Sequence, residues 1–84
     1  MRVYANKKDE LVLAEGDYGI DPRNGFWYCR PPGCHMGCLK NHKVVEHEDG
    51  SITVDPSILV SYETSKGKVE WHGYLERGIW RKVN

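Results

Sequence analysis

The sequence predicts a single, small, mostly β domain, and three observations lead to that reading. Its 84 residues leave room for one core and not two, because cores are usually built from about 50 to 200 residues. The C-terminal half is made of alternating and β-branched runs punctuated by Asp49-Gly50, Pro56 and Gly78, the period of two that sends side chains to alternate faces of a strand. A hydrophobic fraction of 39%, with three Trp, five Tyr and one Phe, is enough for a compact core and too rich for a disordered tail.

Taken in chain order, Arg2-Val3-Tyr4-Ala5 and Leu11-Val12-Leu13-Ala14 are read as strands. The competing reading is a short helix through Glu15 with Asp9 as its N-cap. Residues 16 to 25 hold three Gly, two Asp, one Pro and one Asn, a loop composition without periodicity. Phe26-Trp27-Tyr28-Cys29 is a short strand that delivers a cysteine. Val44 to Glu48 and Ser51 to Asp55 flank Asp49-Gly50, a strong signal for a hairpin with a two-residue turn. In that register Val45, His47, Ile52 and Val54 face the core, while Val44, Glu46, Glu48, Ser51, Thr53 and Asp55 face away. Pro56 lacks a ladder donor and is expected to end the strand. Ile58 to Tyr62 follows as a third strand, Thr64 to Lys68 as a polar turn and Val69 to Leu75 as a fourth strand. The turn at Glu76-Arg77-Gly78 then leads into Ile79 to Val83. The sum is an antiparallel meander in one domain over residues 1–84.

Twelve basic residues balance twelve acidic ones, and no polybasic or polyacidic block interrupts the balance. Nucleic-acid binders normally carry a basic excess, since phosphate neutralisation supplies most of their non-specific affinity. That class is disfavoured. No apolar run near the N-terminus reaches signal-peptide length, and no stretch approaches the roughly 18 apolar residues of a membrane span. The expectation is a cytoplasmic protein without a membrane partner. Three cysteines are an odd number, and in a reducing compartment they are thiols or thiolates.

Those cysteines sit in Cys29-x4-Cys34-x3-Cys38-x3-His42, with Pro31, Pro32, Gly33 and Gly37 between them. Zinc takes four soft or borderline ligands in a tetrahedron, and ligands a few residues apart on a turn can reach one ion. The Pro and Gly residues supply the tight backbone such a knuckle requires. A fourth ligand commonly comes from a second strand, and His72 is the candidate by residue type. Only four of Cys29, Cys34, Cys38, His42 and His72 can complete a closed structural site. The bland alternative is that the thiols are small buried hydrophobes and the histidines unrelated. Clustering within fourteen residues of a non-periodic, Pro/Gly-rich segment favours the metal. His35 is read as exposed and His47 as a satisfied core histidine.

Phe26-Trp27-Tyr28-Cys29, Pro32-Gly33-Cys34, His42-Lys43-Val44, Asp55-Pro56-Ser57-Ile58-Leu59 and Trp71-His72-Gly73-Tyr74-Leu75-Glu76-Arg77-Gly78-Ile79-Trp80 together resemble a family of small uncharacterised phage and prophage proteins. The resemblance spans about residues 26 to 80. It implies a zinc-type site that uses Cys29, Cys34 and His72, with His42 as a further candidate. The spacing from Cys29 to Cys34 and the additional Cys38 depart from the commoner pattern. The family lends no catalytic role.

The leading functional expectation is therefore a zinc-stapled protein-interaction module and not an enzyme. Trp71, Tyr74, Arg77 and Trp80 are its candidate partner-binding residues, because Trp, Tyr and Arg dominate interface hot spots; the competing assignment puts the tryptophans in the core. A nucleic-acid knuckle would stack bases on the aromatics and set Arg30, Lys40 and Lys43 on phosphates. A zinc hydrolase would need an open metal position and a base such as Glu46 or Glu70, yet no HExxH or comparable pattern occurs.

Overall fold

A computed structural model of the chain describes residues 1–83. Among the described residues seven strands form two antiparallel sheets. The first holds β1 (Tyr18–Ile20), β2 (Trp27–Cys29) and β3 (Gly37–Cys38) in that order. The second holds β4 (Lys43–Glu46), β5 (Ile52–Thr64), β6 (Gly67–Glu76) and β7 (Ile79–Lys82), a meander of four strands in chain order. The mostly β class and the meander read from the sequence are what the chain adopts.

The pairings decide which side chains meet. Val44 opposes Val54, Val54 opposes Leu75, and Leu75 opposes Trp80, so these share one face with Ile58, Val60 and Trp71. Directly opposed residues lie on the same side of a sheet. The three-stranded sheet contributes Tyr18 and Cys29, which are also opposed. The core forms between the sheets from Tyr18, Cys29, Cys34, Leu39, Ile52, Val54, Ile58, Trp71 and Leu75. The other face of β4–β7 carries Val45, Thr53, Leu59, His72, Tyr74 and Arg81 toward solvent. Trp71 and Trp80 meet edge to face at 5.2 Å between centroids, an arrangement the ring quadrupoles favour.

Three expectations are corrected. At the first hairpin the loop is three residues long: His47 N donates to Ser51 O at 2.8 Å and Gly50 N to His47 O at 2.9 Å. Asp49 holds the loop by accepting from Ser51 N and Oγ. An odd loop moves β4 by one residue, and one residue exchanges its faces. Val44 thus turns to the core while Val45 and His47 turn outward; Ile52 and Val54 face inward as expected. Second, β5 runs on through Pro56. Asp55, Pro56 and Ser57 together oppose Tyr74 between the pairs Val54–Leu75 and Ile58–Gly73, and such a bulge is where a residue without an N–H does no damage to a ladder. Third, residues 2–5 and 11–14 are neither strand nor helix, apart from one bridge from Arg2 to Tyr18. They pack against the three-stranded sheet, with Val3 N donating to Tyr18 O and with Leu11 and Leu13 buried.

The turn from β6 to β7 falls where expected, with Glu76 opposing Ile79 and a two-residue loop in which Arg77 and Gly78 both have positive φ, at 47° and 78°. No helix among the described residues is long and apolar enough to cross a membrane.

Candidate metal centre

Cys29 ends β2 with its side chain in the core at 0% exposure. Burial pushes its thiol up to about 12, with the neighbouring Cys34 and Cys38 sulfurs adding to the shift. Cys34 is buried beside it, and its Sγ lies 3.7 Å from the carbonyl of Val60. Cys38 opposes Tyr28 on β2, whereas Cys29 opposes Gly37. Alternation then sends Cys38 to the outer side of the small sheet, where it is exposed.

The knuckle backbone is braced from within. Cys34 N donates to Pro31 O at 3.1 Å. The Arg30 guanidinium donates to Cys34 O at 2.9 Å and to Leu13 O at 3.1 Å, tying the turn to the N-terminal segment. Arg30, the residue a nucleic-acid reading would set on phosphate, is thus engaged internally. Gly37 lets β3 lie close against β5: a Cβ there would stand 2.8 Å from Val60 Cγ2. Between β3 and β5 runs a cleft of about 320 Å³ whose lining includes Cys29, Cys38, His42 and Ile58.

The two candidate histidines converge on one residue. His42 Nε2 lies 3.0 Å from Ser57 O, and His72 Nε2 lies 3.1 Å from Ser57 Oγ. His42 Nδ1 is buried and has no hydrogen-bond partner among the described residues. His72 opposes Leu59 on the solvent side of the large sheet, across the sheet from Cys29 and Cys34, and does not line the cleft. The expected grouping of Cys29, Cys34 and His72 is thus divided by β5 and β6. Among the described residues no three His, Cys, Asp or Glu side chains stand grouped as metal ligands. The donor chemistry fits zinc, in thiols and an unengaged imidazole nitrogen, but the side chains are not gathered around one point.

Of the candidate partner-binding residues, Trp71 is buried and Trp80 half-buried, with Trp80 Nε1 donating to Gly16 O at 2.9 Å. Both belong to the packing. Tyr74, with Arg81 against its ring, and Arg77 remain at the surface. Glu46 is paired with Arg2 and Glu70 with Lys68; neither lines the cleft. His35 is exposed, as expected, and stacks on Tyr62 at 3.7 Å. His47 is half-buried on the outward face, bonded to Thr53 Oγ1 at 2.7 Å.

Ser57 is the residue that sequence reasoning missed. The signal was Pro56 within a β-branched run, which marks a bulge as readily as a strand end. Comparisons with protein families, with curated proteins and with solved structures return no match for this chain.

Proposed function

We propose that this protein is a small zinc-binding protein-interaction module, in the manner of a phage- or prophage-encoded accessory protein, and not an enzyme. The observation that carries the reading is the cleft beside β3, whose lining includes Cys29, Cys38 and His42, with Cys34 buried in the same core cluster as Cys29. Thiolates and a neutral imidazole are the ligands zinc prefers. The metal's contribution would be structural. A core this small supplies about 3 to 5 kcal/mol, whereas structural zinc contributes on the order of 10 kcal/mol to folding. Binding would release thiol protons, that of the buried Cys29 among them. Tyr74 and Arg77 supply an aromatic and a cationic contact on the solvent side for a protein partner.

Elemental analysis of the purified protein, followed by chelation under circular dichroism, tests the reading. One zinc per chain and loss of the β signal on chelation are expected. A metal-free protein whose melting temperature ignores the chelator would leave Cys29 and Cys34 as buried thiols and defeat the proposal.

A further inference from the structure

We infer that His42, binding through Nδ1, is the imidazole of the thiol site, and that His72 supports the site from outside through Ser57; the inference rests on the zinc reading above. His42 Nε2 faces the carbonyl oxygen of Ser57 at 3.0 Å. A carbonyl only accepts, so Nε2 must carry the proton. In the neutral ring the lone pair is then on Nδ1. That atom is buried and, among the described residues, has no partner. A buried acceptor left alone is costly, so among the described residues His42 Nδ1 is an electron-pair donor with nothing to receive it.

The surroundings say what would receive it. His42 lines the cleft together with Cys29 and Cys38, and Cys34 is buried in the same core cluster as Cys29. A nitrogen lone pair on a residue that lines the same cleft as two thiols suits a borderline-soft divalent cation such as zinc. The remaining N–H of a ligating histidine almost always goes to a carboxylate, water or backbone carbonyl, which fixes the tautomer. Ser57 O already holds that place for His42. His72 has a different setting: it lies on the outward face opposite Leu59, and its Nε2 is engaged by Ser57 Oγ at 3.1 Å. It steadies the residue that orients His42 and is a positioning residue.

The test begins on the metal-free chain. Long-range proton–nitrogen correlations of ¹⁵N-labelled protein should show His42 protonated on Nε2 and bare on Nδ1; a proton on Nδ1 with Nε2 bare overturns the inference without any metal. On addition of zinc sulfate, the Nδ1 resonance of His42 should move while those of His72 hold their tautomer. His42→Ala should weaken zinc binding by more than the roughly 10–100-fold that loss of an outer partner costs, and His72→Ala by no more than that range. Zinc held with His72 as the shifting ring, or retained by His42→Ala and lost from His72→Ala, defeats this assignment and leaves the zinc reading standing. A wild-type chain that takes up no zinc defeats both.

Discussion

Leu75 and Leu59 present the same side chain to opposite sides of the large sheet, and truncating each to alanine reads the architecture directly. Leu75 is 0% exposed, between Val54 and Trp80, whereas Leu59 is 60% exposed. Leu75→Ala removes three carbons from a closed core. At about 0.8 kcal/mol per buried carbon the transfer loss is about 2.4 kcal/mol. The cavity left behind adds to it, within the 2 to 5 kcal/mol typical of such truncations. For a domain of this size each kcal/mol lowers the melting temperature by roughly 4 to 8 °C, so a fall of at least about 10 °C is expected. Leu59→Ala loses little burial and should stay within about 0.5 kcal/mol. Thermal melts and urea titrations of both variants, under identical metal conditions, give the comparison. Equal losses, or a larger loss at Leu59, would refute the assignment of the faces.

Further outcomes follow from particular contacts. Hydrogen bonds from Arg23 hold the Asp21 carboxyl below its usual range, and those from Ser51 do the same for Asp49. Groups depressed on folding stabilise the native state above their unfolded value and lose that contribution as pH falls through the folded one. Stability should therefore drop below about pH 4, and Asp21→Asn should flatten the drop in melts run from neutral to acid; an unchanged pH profile would refute the role of that pair. Gly37→Ala forces a Cβ to 2.8 Å from Val60 Cγ2, and a β-branched neighbour has little rotamer freedom to give. A loss of about 1 to 3 kcal/mol is expected by chemical denaturation. Trp80→Phe removes the bond to Gly16 O and should cost about 0.5 to 1.5 kcal/mol, read by the same assay.

The meander was legible because its signals are local. Alternation in β5 and β6, and the Arg77-Gly78 turn, depend on residues next to one another in the chain. The register of β4 was not legible in the same way: Asp49-Gly50 suits two-residue and three-residue loops alike, and the choice was made by Asp49 bonding to Ser51. The N-terminal segment misled because Leu11 and Val12 look like a strand in isolation. Its backbone finds side-chain and loop partners instead, among them Arg30 on Leu13 O. The cysteine cluster was visible as a spacing. Its faces were not, since they depend on Gly37 and not Cys38 pairing with Cys29.

The bulge at Asp55-Pro56-Ser57 joins fold and site. A regular ladder would commit the carbonyl of Ser57 to a neighbouring strand; the extra residues on β5 leave local backbone groups unpaired, and that carbonyl takes His42. The acceptor belongs to the main chain, so replacing the Ser57 side chain cannot remove it. Ser57→Ala deletes the hydroxyl that meets His72 and nothing that His42 uses. Its effect on metal affinity should therefore match that of His72→Ala and remain well short of His42→Ala. A Ser57→Ala loss as deep as that of His42→Ala would show the two imidazoles to act as one unit through the hydroxyl, and the division of their roles would fail.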